Sequence, residues 1–194
     1  MLWTIGFLKA FVALFIIIDP LGNLPFFMGL TEGTSVEERR KIFRIAEITA
    51  FILLLLFVFF GSLILQVFRI TLDDFKIAGG LLLFVLSLEM LLRGKVHFEH
   101  KEDVGAVPLG CPLLVGPGAI TTAMVLMGSY GLYITLSAVL LNFILIWLIL
   151  RYVDQIYSIL GKTGSVIISR VVSILIAAIA VQFIREGIQA IFKL

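Results

Sequence analysis

All five prolines of the chain fall in two short stretches, and both stretches interrupt hydrophobic runs. The first is Asp19-Pro20-Leu21-Gly22-Asn23-Leu24-Pro25, and the second runs from Pro108 through Cys111, Pro112, Gly116 and Pro117 to Gly118. Proline lacks an amide proton and its ring clashes with the preceding helical turn. Glycine adds backbone freedom at the same places. A pair of interrupted apolar segments of this kind is the sequence mark of a binding site built from broken membrane helices. The spacing also repeats: Pro20 and Pro25 stand five apart, as do Pro112 and Pro117.

The chain is 61% hydrophobic and 14% charged, whereas a soluble domain is roughly 45–50% apolar and about 25% charged. This composition predicts an all-α polytopic membrane protein, 1–194 forming a single transmembrane domain. A length of 194 residues supplies about six spans of about 20 residues each. The net charge of +2 is too small and scattered for nucleic acid. Cys111 is the one cysteine, so an intrachain disulfide and a two-thiol relay are excluded. Residues 1–18 lack a basic start and a small-residue cleavage site, and read as a first span.

The expected spans cover about 5–30, 45–68, 75–93, 107–128, 132–151 and 170–192, with helices 1 and 4 carrying the breaks. Ser35 followed by Glu38 predicts a capping box ahead of helix 2. Ser129-Tyr130-Gly131 predicts a tight turn, and 152–169 a longer amphipathic connection. Loops after helices 1, 3 and 5 hold ten basic residues against five on the other side. This bias places the first side in the cytoplasm and both termini outside. A shift of 92 positions superposes Pro20 on Pro112, Pro25 on Pro117 and Arg93 on Arg185. Three spans per half turn the second copy upside down, giving inverted repeats over about 1–93 and about 106–194.

A broken membrane helix frees backbone groups, which are tolerated only inside protein or beside a wet cavity. Pro25 and Pro117 suit the first turn of a new half-helix. The amides near Phe26 to Met28 and Gly118 to Ile120 would then attract a carboxylate. Carbonyls before each break suit a cation or ammonium group, so a zwitterion fits both. Gly22, Gly116, Gly118 and Ala119 leave room for close approach.

Asp19 either holds a substrate ammonium or coupling ion, or caps amides freed by the prolines. Asn23 either contacts substrate or caps the second half-helix. Thr121 and Thr122 either line the site or bond back to the preceding turn. Asn142 and Gln182 suit helix–helix hydrogen bonds, and Gly79-Gly80 suits close helix packing. His97 and His100, in a charged loop, read as solvated rather than metal-binding, and no catalytic set or cofactor motif appears.

With these residues the chain resembles the MarC family of integral membrane proteins, which includes the SnatA-type neutral amino acid transporters. The resemblance rests on the segment from Asp19 to Pro25 and on Pro112-Leu113-Leu114-Val115-Gly116-Pro117-Gly118-Ala119-Ile120-Thr121. Ala78 to Phe84 and Ala177 to Ile184 add support. Cys111 and Ser173 depart from the family pattern, in places expected to be apolar and glycine respectively. The resemblance implies a six-span inner-membrane protein that carries glycine, alanine and related amino acids, coupled to a proton or sodium gradient. The expected partners are that substrate, the ion, the lipid bilayer and a second copy in a homo-oligomer. The alternative is a channel or exporter for another small polar solute. No enzyme activity, metal or cofactor is expected.

Overall fold

The computed structural model describes residues 2–93 and 104–192. The polar stretch 94–103, with His97 and His100, lies outside the described residues, as do the side chains of Lys162 and Arg170. The described chain forms α1 (Leu2–Ile18), α2 (Leu24–Leu30), α3 (Val36–Phe68), α4 (Leu72–Arg93), an irregular segment Gly105–Leu114, α5 (Pro117–Arg151) and α6 (Val153–Phe192). Among the described residues there is no strand.

The prolines set the boundaries. α1 carries a ladder of rings from Trp3 through Phe7 and Phe11 to Phe15, with centroids 5.7, 6.4 and 6.0 Å apart. The spacing of four stacks these side chains on one helix face. The helix stops at Ile18, and Asp19 turns the chain with φ 43°. α2 restarts with Pro25 in its first turn. In the irregular segment Val107 (φ −134°, ψ 123°) and Cys111 (φ −137°, ψ 127°) are extended. Each directly precedes a proline, whose ring pushes its neighbour out of the helical region. The second break is therefore longer than the first.

The capping box ahead of α3 is present. The Ser35 hydroxyl accepts from the Glu38 amide at 3.2 Å, and the Glu38 carboxylate accepts from the Ser35 amide at 2.9 Å.

One expected break is present and one expected loop is helical instead. At the expected Ser129–Gly131 turn only Gly131 leaves the helical region, with φ 77° and ψ 177°. Glycine alone takes this conformation cheaply, so the expected turn is a sharp break at Gly131 between two helical stretches. The expected 152–169 connection lies within the helical backbone of α6, and Tyr152 alone separates α5 from α6. That segment has no proline, and Gly161 and Gly164 each cost a helix only about 1 kcal/mol.

Three helical stretches, Val36–Phe68, Pro117–Arg151 and Ser173–Phe192, are long and apolar enough to cross a membrane. Trp3–Ile18 and Gly105–Leu114 are shorter apolar pieces, because the breaks divide the expected helices 1 and 4.

α1 packs on α5, α3 on both α5 and the irregular segment, and α2 and α4 on α6. The main core gathers Leu14, Ile18, Phe27, Leu54, Leu109, Ile120 and Ile146. A smaller cluster joins Phe26, Leu83, Ile176 and Ala180. Large apolar side chains also cover the outside, among them Ile16, Leu63, Val67, Val85 and Leu92. An exterior this apolar is the surface of a protein solvated by lipid rather than water.

Asn142 plays the expected joining role. Its buried amide donates to Ala138 O at 2.8 Å and to Phe11 O at 3.2 Å, tying α5 to α1. Gln182 does not. It is exposed and donates to Glu186 Oε1 at 2.8 Å, one turn along its own helix. It faces outward.

Candidate functional site

The two breaks meet inside the fold. The Asn23 side-chain amide donates to Ile18 O at 2.8 Å and reaches Leu113 O at 3.4 Å. Ile18 is the last residue of α1, so its carbonyl has no partner further along the helix. Leu113 stands just before the second restart. One Nδ2 thus gathers carbonyls from both breaks, across 90 residues of sequence. A second contact accompanies it: a Cβ on Gly118 would lie 3.1 Å from the Ile17 side chain.

Of the two roles expected for Asn23, substrate contact or a side-chain cap on α2, the cap is not formed: the side chain makes no capping bond to that helix. The stronger claim on it is the pair of orphan carbonyls, for which water is not at hand in a membrane. Asp19 is exposed beside the first break, and its carboxylate accepts from the Gly22 amide at 3.0 Å. A Cβ on Gly22 would collide with that carboxylate, so a larger residue there would push the Asp19 side chain aside.

At the second break Gly116 is buried and precedes α5 with no side-chain cap. A Cβ on Gly116 would lie 2.6 Å from Pro112 O. The first helical bond of α5 runs from the Ile120 amide to Gly116 O at 3.1 Å. The amides of Gly118 and Ala119 come before it and have no intrahelical acceptor. Ile120 is therefore removed from the amides expected to be free. At the first break the Phe27 amide donates to Asn23 O at 3.1 Å, which removes Phe27 as well.

Thr121 bonds back to Pro117 O at 2.7 Å, one turn below. Thr122 is half-buried on the same turn. Pro20, Pro112 and Pro117 are all buried around the junction.

The structure thus brings Gly22, Asn23, Gly116, Gly118 and Ala119 to the junction, with Asp19 at its exposed side. Sequence reasoning expected carbonyls before the breaks to take part, but missed that those of Ile18 and Leu113 converge on Asn23, and missed Phe183. Phe183 of α6 comes within 3.8 Å of where a Gly116 Cβ would stand. Glu47, half-buried on α3, was also passed over although it lies inside an expected span. Among the described residues no group of His, Cys, Asp or Glu gathers as a metal site requires.

Chemically, the junction offers two polarities. Unbonded amides and the positive end of the α5 dipole favour an anion. The converging carbonyls of Ile18 and Leu113 favour a hydrogen-bond donor or cation, and the Asn23 amide now fills that place.

Comparison with known proteins identifies the chain's relatives. The family profile described as "MarC family integral membrane protein" matches residues 5–192. A "UPF0056 membrane protein" of Archaeoglobus fulgidus is 41% identical, covering 94% of this chain and 92% of that protein. A Methanocaldococcus jannaschii relative is 37% identical over 94% of this chain and 96% of its own length. The Bacillus subtilis protein YvbG is 34% identical over 94% and 93% respectively. No solved structure matches the chain. A profile match over nearly the whole length, joined to the two proline-broken segments that meet at Asn23, means that this chain belongs to the MarC family of integral membrane proteins.

Proposed function

We propose that the chain is a secondary transporter of small neutral amino acids of the glycine and alanine class, coupled to a proton or sodium gradient, and not an enzyme. The observation that carries this reading is the meeting of the two breaks at Asn23, where amides and carbonyls of opposite polarity share one place. A zwitterion needs both. Its carboxylate binds the Gly118 and Ala119 amides at the uncapped start of α5. Its ammonium takes the place that the Asn23 amide fills now, between Ile18 O and Leu113 O, with Asp19 as coupling-ion or ammonium partner. Ile17 lies beside Gly118 and Phe183 beside Gly116, and a small substrate is the one that fits next to such side chains.

The proposal includes six spans arranged as two inverted repeats. Phe51 of α3 packs edge-on against Phe143 of α5, with centroids 5.0 Å apart. These two phenylalanines differ by the same 92 positions that relate Pro20 to Pro112 and Pro25 to Pro117. A residue touches its own counterpart only near the axis relating two repeats. The contact therefore supports the repeat independently of the prolines. Rocking of one repeat against the other around the junction then gives alternating access.

Uptake into proteoliposomes tests the function. The expected result is saturable uptake and counterflow of glycine and alanine that follow an imposed proton or sodium gradient. No response to any small amino acid overturns the reading, and fast flux without counterflow replaces the carrier by a pore. In the same assay Asp19→Asn is expected to lower uptake by about tenfold or more, the worth of one charge-assisted hydrogen bond. Unchanged uptake removes Asp19 from the scheme.

The orientation is part of the proposal: a cytoplasmic (inner) membrane, with the ten-basic-residue side inside and both termini outside. A C-terminal fusion to a phosphatase active only outside the cytoplasm is expected to be active. An inactive phosphatase, with a cytoplasm-only reporter active at the same position, reverses the orientation.

A further inference from the structure

Two cavities lie away from the junction, between α3 and α5. These helices run antiparallel, with Phe51 against Phe143, so the start of α3 lies beside the end of α5. Arg40, Arg44 and Glu47 of α3, with Trp147 and Arg151 of α5, line a cavity of about 180 Å³ at that end. Adjoining it, and sharing Arg44, Glu47 and Trp147, is a groove of about 390 Å³. Its remaining walls are apolar: Ile48, Phe51, Leu140, Phe143 and Ile144. From Arg44 to Phe51 the groove follows α3 for about 10 Å. Arg40, Arg44 and Arg151 are exposed, and the Arg151 guanidinium lies 5.3 Å from the Trp147 ring centroid.

We propose that this groove holds one membrane phospholipid with an anionic headgroup. The headgroup phosphate sits among Arg40, Arg44 and Arg151, and an acyl chain lies along Phe51, Phe143 and Trp147. Charge complementarity selects this occupant. The polar end carries three guanidinium groups against the single Glu47 carboxylate, and the rest of the groove is hydrocarbon in character. Guanidinium groups match phosphate oxygens in a two-pronged way. A second copy of the chain fits less well, because a two-fold interface here would bring like arginine clusters toward each other. The site does not rest on the transport reading and is separate from the break junction.

The test is native mass spectrometry of the full chain in detergent, titrated with dioleoyl phosphatidylglycerol or dioleoyl phosphatidylcholine. The wild type is expected to retain phosphatidylglycerol in preference to phosphatidylcholine. Each arginine near an anionic lipid surface is worth roughly fivefold in binding, so Arg44→Gln with Arg151→Gln lowers the preference roughly 30-fold. Ile144→Asp weakens both lipids, and Arg69→Gln, at the far end of α3, weakens neither. If the double variant does not fold, Arg44→Gln alone carries the test with its fivefold loss. Equal retention of phosphatidylglycerol by wild type and variant overturns the proposal. So does displacement of the lipid by millimolar inorganic phosphate, which would make the site one for free anion. A change in the monomer–dimer ratio without any change in lipid retention also overturns it, and makes the face an interface between copies.

Discussion

Leucine in place of Gly80 is expected to destabilise the fold by about 3 kcal/mol. A Cβ at Gly80 already stands 2.8 Å from Ala180 O and from an Ile184 side-chain carbon, and 3.1 Å from the Ile184 amide nitrogen. Two of those three atoms are backbone, so no rotamer change relieves the contact. Gly187 repeats the arrangement from the opposite helix, where a Cβ would lie 2.8 Å from Asp73 O. α4 and α6 therefore approach at two glycines, and the small core of Leu83, Ile176 and Ala180 depends on that approach. In lipid the helices gain no hydrophobic driving force from one another, and close packing has to hold them. Overpacking of a tight contact costs about 3 kcal/mol, which for a chain of this size lowers the melting temperature by roughly 10 °C. Size-exclusion chromatography and thermal melting in mild detergent check this, with Gly80→Ala expected to fall between the two. A monodisperse Gly80→Leu protein melting like wild type would mean that the helices separate freely at this crossing.

The prolines made the breaks legible because their effect is local. Pro25 and Pro117 open helices, and Val107 and Cys111 are extended for no reason beyond the proline that follows each. The capping box at Ser35 and Glu38 was legible for the same reason. What escaped was decided at a distance. Nothing near Asn23 names Leu113 as its partner, and local sequence offered only a cap on the adjacent helix or a substrate contact. Gln182 and Asn142 look alike in sequence, as lone amides in apolar helices, yet one faces out and the other is buried against α1. An amphipathic period normally distinguishes such faces. Here the outer face is as apolar as the core, so that period is erased and packing direction cannot be read. The helical continuity through 152–169 was obscured by glycines and charges that mark loops in soluble proteins but that a helix tolerates. Glu47 was passed over because it stands one turn from Arg44 at a span end, where charged side chains ordinarily reach for the interface.

Aspartate at position 23 is expected to abolish transport while leaving a folded, less stable protein. Asn23 presents a donor to Ile18 O and Leu113 O. An ionised carboxylate is acceptor-only, so the substitution sets an anion against two carbonyl oxygens and leaves both without a donor. Unsatisfied buried acceptors cost about 1–3 kcal/mol each. Holding the breaks together then becomes unfavourable, and uptake is expected to fall by about 100-fold or more. Asn23→Ala removes the donor without adding charge and is expected to lose about tenfold. The two variants separate loss of the contact from active repulsion. Acid provides the second separation: once protonated, the introduced carboxyl group has an O–H to donate, so the uptake ratio of Asn23→Asp to wild type rises as the pH falls, whereas the ratio for Asn23→Ala stays flat. Melting temperatures in detergent supply a readout that does not depend on the substrate, with wild type above Asn23→Ala and Asn23→Asp lowest at neutral pH. If Asn23→Asp matches wild type in both uptake and melting, the contact between the breaks contributes nothing to the cycle. If melting follows the expected order but no substrate is ever transported, the junction holds the fold together and the transport reading fails alone.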